Sequence, residues 1–390
     1  MLNKRMRHPS KLPNVSSSIF SIMGKMASDY KAINLSQGFP NFPSDPVLIA
    51  LVDQAMNDGF NQYAPMAGDF DLRMEISKKI ESLHKHFYSP ETEITITAGA
   101  TQAIFTIIAT FIGQEDEVII FTPAYDCYAP TVTLFGGKVI PIQLRPPNYA
   151  VDWREVRAKV STKTKMIIIN SPHNPSGMLF TKEDMLELQD LAEKNDLLVL
   201  SDEVYEHIVF EGNIHESAAR FPQLVARSFI TASFGKTFHN TGWKTGYCVA
   251  PEDLMKEFQK VHQFNVFCVN HPIQKALATY LKRPNNYLKL SDFYQQKRDF
   301  FLHLMEGSKF GIIPASGTYF QMLDFSNISS LSDIEFAESL LKKHKVATIP
   351  TSVFNEGEKD FKQIRVCFAK TDETLARAAE ILKNLDKGNF

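Results

Sequence analysis

The chain is expected to be an α/β protein: a large domain whose mostly parallel sheet is sandwiched by helices, joined to a smaller α+β domain. Three observations predict this. With 390 residues it is too long for one small core and fits two domains. Six short runs rich in apolar or β-branched residues, at 94–97, 118–121, 165–170, 197–200, 228–231 and 246–249, end in turn or polar residues. Helical patterns separate several of these runs, as in a parallel sheet with helical crossovers.

The clearest crossover helix starts at Thr181 and runs to about Asn195. Thr181 is suited to the N-cap, Glu183 and Asp184 lie in the first turn, and Leu186, Leu188 and Leu191 supply the apolar positions. The near-continuous apolar strands imply a sheet buried on both faces, which puts functional groups just past the strands' carboxyl ends. Beyond residue 285 the pattern changes to helices with isolated strand runs at 317–320 and 363–366. The expected division is therefore 46–284 for the large domain, with 1–45 and 285–390 forming the small one. The first 35 residues show no strand of the major pattern and are expected to fold back onto the small domain.

Composition narrows the function. Lys plus Arg number 42 against 44 Asp plus Glu, a net charge of −2, so the electrostatic footprint of a nucleic-acid binder is missing. No apolar run approaches the roughly 18 residues that cross a bilayer. Lys4, Arg5, Arg7 and Lys11 precede no apolar segment, and Pro9 and Pro13 interrupt any targeting helix, so a frayed arm on a cytoplasmic protein is expected. Cys127, Cys248, Cys268 and Cys367 form no C-x-x-C pair and are read as buried free thiols. No metal site is expected: there is no H-E-x-x-H, and His84 and His86 flank Lys85 on what reads as a solvated face.

The segment 233–247 carries the most chemistry. Gly235-Lys236-Thr237 imitates the end of a phosphate-binding P-loop, but that pattern needs glycine five residues before Gly235, and Ile230 stands there. The competing reading is an amine nucleophile, since a lysine at a strand end, partly desolvated and near the cation Lys244, has a depressed pKa. Asp202 follows another apolar run. Buried there, its carboxylate needs a cation, such as a protonated pyridine nitrogen, unless it merely caps a helix. Tyr205, three residues on, reaches the same side if a helical turn begins.

With these residues in view, the sequence resembles class I pyridoxal-phosphate aminotransferases of fold type I, most of all the methionine aminotransferase and kynurenine/glutamine transaminase branch. The resemblance rests on eight motifs in order along nearly the whole chain: Asn34 to Pro40, Asn61-Gln62-Tyr63, Thr97 to Thr101, Tyr125 to Tyr128, Asn174-Pro175-Ser176-Gly177, Ser201 to Tyr205, Ser233 to Tyr247, and Ile364 to Lys370. It implies a seven-stranded large-domain sheet, pyridoxal 5′-phosphate as cofactor, amino acid and 2-oxo acid substrates, and a homodimer with shared active sites.

It also implies roles. Lys236 holds the cofactor covalently and shuttles protons, Asp202 pairs with its ring nitrogen, Tyr205 and Asn174 donate to its phenolic oxygen, and Tyr125 stacks on the ring. Gly99, Ala100, Thr101, Ser233 and Lys244 take the phosphate, the helix start at Gly99 being suited to it. Many relatives have arginine where Lys244 stands. Tyr63 reaches the phosphate of a partner subunit. Arg365 clamps the substrate α-carboxylate, with the backbone at Gly38 closing the pocket and Asn174 beside it. No arginine occurs from Gly246 to Lys282, where His262 and His271 stand, so a second substrate carboxylate has no evident partner. Phe20 makes the pocket apolar. The expected reaction is transamination of methionine, phenylalanine or a similar donor. Alternatives left open are a β-lyase on sulfur amino acids and a non-catalytic amino-acid sensor.

Overall fold

The structure, a computed structural model, describes residues 9–390; the arm at Lys4, Arg5 and Arg7 lies outside the described residues. A seven-stranded sheet runs, edge to edge, Ile94–Thr97, Gly246–Val249, Ser228–Ser233, Leu198–Asp202, Thr164–Asn170, Glu117–Thr122 and Lys138–Gln143. Gly246–Val249 alone runs against the other six strands, which are mutually parallel. The strand Lys138–Gln143 was not apparent in the sequence, because Gly136 and Gly137 precede it and Pro141 interrupts its pattern. Its place at the sheet edge explains how proline is tolerated.

Alternation along the strands assigns each face its own core. Val118, Ile120, Met166, Ile168, Leu200 and Phe229 pack against the helices Ala100–Phe111 and Glu252–Asn265. Ile119, Phe121, Ile167, Ile169, Val199 and Ile230 join the larger cluster with Met185, Leu188 and Leu191 of the helix Lys182–Lys194. Each such side chain fully buried contributes about 1.5–3 kcal/mol. The Lys182–Lys194 helix begins with a reciprocal capping box between Thr181 and Asp184. Leu186, expected to be buried, is exposed, and Met185 takes the inward position.

Two small sheets complete the fold. Ile33–Asn34 pairs in parallel with Val346–Ala347, and Gln363–Cys367 lies between Ile349–Pro350 and Phe320–Asp324, antiparallel to both. The helix Ile19–Asp29, which the sequence did not reveal, packs on Val346–Ala347 and Ile349–Pro350. The strand expected at 317–320 begins only at Phe320, because Thr318 has φ of 64°, which breaks an extended run. His84 departs from the solvated reading: it is buried at the end of the helix Phe70–His84, its ring edge-on to His215. Cys248 and Cys367 are buried, whereas Cys127 and Cys268 are only half-buried. No helix among the described residues is long and apolar enough to cross a membrane.

Candidate active site

Six strands present their ends along one edge of the large sheet, and the chain just beyond each end supplies a group. Thr97 leads to Gly99, Thr122 to Tyr125, Asn170 to Asn174, and Ser233 to Lys236; Asp202 ends its own strand. Gly246 starts the antiparallel strand at the same edge, so Lys244 arrives from the opposite direction. A cleft of about 220 Å³ there gathers Phe20, Gly38, Gly99, Ala100, Thr101, Tyr125, Asn174, Asp202, Tyr205, Ser233, Lys236, Lys244 and Arg365. Tyr63 is the one candidate not brought in. It is 81% exposed on another surface, edge-on to Phe267.

At one end of the cleft the helix Ala100–Phe111 starts without a side-chain cap, leaving first-turn N–H groups free. Gly99 has φ of 78°, and a Cβ there would sit 3.5 Å from Lys244 Nζ. A Cβ on Gly246 would meet the Ala232 carbonyl oxygen at 2.4 Å and the Ala100 nitrogen at 3.1 Å. Glycine thus lets the helix start approach the strand, producing a concave nest of amides beside a hydroxyl, Ser233, and an ammonium, Lys244. This donor set fits a phosphate.

Asp202 is 3% exposed. Burial pushes its pKa up to about 6, opposed by the Tyr128 hydroxyl, which donates to Oδ2 at 2.5 Å, and by the Val204 N–H. The contact with Val204 is the local capping geometry; the bond from Tyr128, 74 residues away, is not. A buried carboxylate with a raised pKa fits a protonated ring nitrogen, whose charge would offset the desolvation. Lys236 lies in a short helix after Ser233; burial lowers its pKa to about 8, assisted by the charges of Arg365 and Lys244. Its Nζ donates to the Gly38 carbonyl at 3.0 Å. Tyr205 packs edge-on against Tyr319 and Phe320, and burial raises its pKa.

Arg365 is 1% exposed. Its Nη1 donates to Asn174 Oδ1 at 2.7 Å and Nη2 to the Ser36 carbonyl at 3.0 Å, while buried Nε has no partner. The guanidinium lies 3.9 Å from the Phe320 ring centroid and 5.1 Å from that of Phe20. A planar cation bonded only to neutral oxygens suits a carboxylate.

The donor groups, the buried acid and the buried amine together fit pyridoxal 5′-phosphate, and the comparisons with known proteins agree. Residues 30–382 match the family model for class I and II aminotransferases. The chain belongs to this aminotransferase family. It is 45% identical to methionine aminotransferase of Escherichia coli over 99% of this chain and 100% of that one. It is 34% identical to kynurenine–oxoglutarate transaminase 3 of Bos taurus, over 100% of this chain and 92% of the relative. Among solved structures it superposes with a TM-score of 0.95 on Escherichia coli YbdL, described as having a methionine aminotransferase function, at 44% identity over 98% and 100% of the two chains. Class I aminotransferases of this fold depend on pyridoxal phosphate, and this aminotransferase is such an enzyme.

Sequence reasoning missed several cleft neighbours. Tyr128, in the Tyr125 to Tyr128 motif, was given no role; it lies three residues past Tyr125, at the start of the helix Tyr128–Leu134. Asn170 lines the cleft and is in register with Asp202, a pairing that adjacent parallel strands ending in polar residues could have suggested. Tyr319 and Phe320, which pack edge-on against Tyr205, lie in the run 317–320, whose pattern signals a strand and not a site.

Proposed function

We propose that this aminotransferase moves the amino group of an apolar or aromatic amino acid, such as methionine or phenylalanine, to a 2-oxo acid. The observation that carries the reading is that Arg365 is the only arginine lining the cleft among the described residues, with the rings of Phe20 and Phe320 beside its guanidinium. His262 and His271 do not supply a second cation there: their Nδ1 atoms meet Gln102 and the Gln62 carbonyl instead. The methionine and kynurenine activities named for the relatives support the same choice.

Bound pyridoxal phosphate supplies an electron-accepting ring and the carbonyl that receives the amino group. Gly99, Ala100, Thr101, Ser233 and Lys244 would hold the phosphate, with Tyr63 of a partner copy; its exposure on its own chain supports a homodimer. Asp202 would hold a proton on the ring nitrogen, Tyr205 and Asn174 would donate to the phenolic oxygen, and Tyr125 would cover the ring face. Lys236, kept largely desolvated, anchors the cofactor and, when its amine is free, takes the proton from the donor's Cα. Arg365 and the Gly38 backbone orient the donor's α-carboxylate, and Phe20 borders its side chain.

The pairing of Ile33–Asn34 with Val346–Ala347 supports assigning 1–45 and 285–390 to one small domain beside 46–284. Four free cysteines support a cytoplasmic location.

Steady-state assays against one fixed oxo acid test the reading. Methionine or phenylalanine should exceed aspartate in kcat/KM by at least about 100-fold, because aspartate buries an unpaired second carboxylate. Aspartate performing as well as methionine would overturn it.

A further inference from the structure

Lys370 is 3% exposed, a costly place for an ammonium, and it forms no ion pair among the described residues. Its Nζ donates to the Phe39 carbonyl at 2.7 Å and, more weakly, to the Gln37 carbonyl at 3.4 Å. Arg365, on the same stretch of chain, likewise bonds only to neutral oxygens, one of them the carbonyl of Ser36. Two buried cations, neither in a salt bridge among the described residues, therefore grip one loop.

The geometry of that loop gives the grip a purpose. The Phe39 N–H donates to the Gln37 carbonyl at 3.0 Å, a three-residue turn with Gly38 at its apex. Within a trans peptide the C=O and N–H point in opposite directions. The Gln37 carbonyl faces inward, toward Phe39 N–H and Lys370, so the Gly38 N–H on the same peptide faces outward. The Gly38 carbonyl also faces outward, accepting from Lys236 Nζ at 3.0 Å and from the Tyr319 hydroxyl at 2.7 Å. The outward side is thus the cleft, where the Gly38 N–H has no acceptor among the described residues.

We propose that Lys370 is a positioning residue for the amino donor: by holding the Gln37 and Phe39 carbonyls it keeps the Gly38 N–H turned toward the α-carboxylate held by Arg365. Its charge adds to that of Arg365 at a site that receives an anion. The inference rests on the transaminase reading above for the identity of the carboxylate.

The test uses the pyridoxal-phosphate-loaded enzyme, Lys370→Met and Lys370→Arg. Calorimetry measures binding of 3-phenylpropanoate, which has the carboxylate without the amine, and of 2-phenylethylamine, which has the amine without the carboxylate. Lys370→Met should weaken 3-phenylpropanoate at least about tenfold and raise the KM for methionine similarly, with kcat within about threefold. Binding of 2-phenylethylamine should change less than about twofold, and Lys370→Arg should recover most of the loss. If Lys370→Met does not fold, Lys370→Gln carries the same comparison. Equal weakening of both ligands, or unchanged binding of 3-phenylpropanoate, would overturn the proposal. A wild-type enzyme that binds 3-phenylpropanoate in this Lys370-dependent way yet transaminates no amino acid would sink the reaction reading and leave the role of Lys370 standing.

Discussion

Asp202 and Lys236 come to the cleft from the ends of adjacent parallel strands, whereas Arg365 meets the Ser36 carbonyl across 329 residues of sequence. On the first wall each group inherits its place from strand register, Asn170 opposite Asp202 and Asp202 opposite Thr231. On the second, position depends on the short pairing at Ile33–Asn34 and on side chains gripping a loop. A rigid wall with perturbed groups suits chemistry, and a wall gripped by a few long-range bonds suits recognition of differing donors.

The largest expected effect lies on the first wall. Lys236→Ala should keep its circular dichroism spectrum and lose transamination by at least about 10⁴-fold, since the proton carrier is gone while the phosphate contacts stay. Borohydride reduction of the wild type followed by mass spectrometry should label Lys236; label on another lysine would break the assignment.

Arg365→Ala, on the second wall, should lower kcat/KM by about 100- to 1000-fold for methionine and phenylalanine alike, because the α-carboxylate is common to both. Unequal losses would mean that Arg365 reads side chains as well.

The next effect appears in stability rather than rate. Asp202 has its pKa raised from 3.8 to about 6, so the folded apoprotein binds that proton more tightly than the unfolded chain does. Stability from this group is full below pH 4 and is lost as pH rises through 6. Asp202→Asn should therefore exceed the wild-type apoprotein in urea stability by on the order of 3 kcal/mol at pH 7.5, with the difference gone at pH 4. A difference independent of pH would point to packing or to the bond from Tyr128.

The smallest effect tests the seam between the walls. Phe20 stacks on Phe354 at 5.7 Å and borders Arg365. Phe20→Leu should raise the KM for phenylalanine about three- to tenfold and leave the rate of pyridoxal phosphate uptake by the apoenzyme unchanged. That uptake rate should itself increase as pH rises through about 8, where the buried Lys236 amine loses its proton. Slower uptake in the Phe20 variant would show that the two walls are coupled.

How much was legible follows the same division. The runs 94–97 and 246–249 emerge with the expected bounds, and 228–231 extends only to Ser233, because buried parallel strands carry a strong apolar signal. The edge strand Lys138–Gln143 is partly exposed and broken by Pro141, which weakens that signal. The helix Ile19–Asp29 has only Met23 and Ala27 buried, too thin an apolar stripe to stand out. Leu186 misled the reading because helix phase at one residue is set by what packs against it.

By itself the sequence determined the alternation of strands and helices, the polar residues at strand ends and the motifs that carry the family resemblance, because these are local or ordered patterns along the chain. Only the tertiary structure decided that Tyr128 serves Asp202, that Phe320 walls the cleft while Tyr319 packs on Tyr205, and that Lys370 turns its ammonium inward onto the loop at Gly38. Those contacts join segments tens to hundreds of residues apart, and their energies come from burial and from partners that no local pattern encodes.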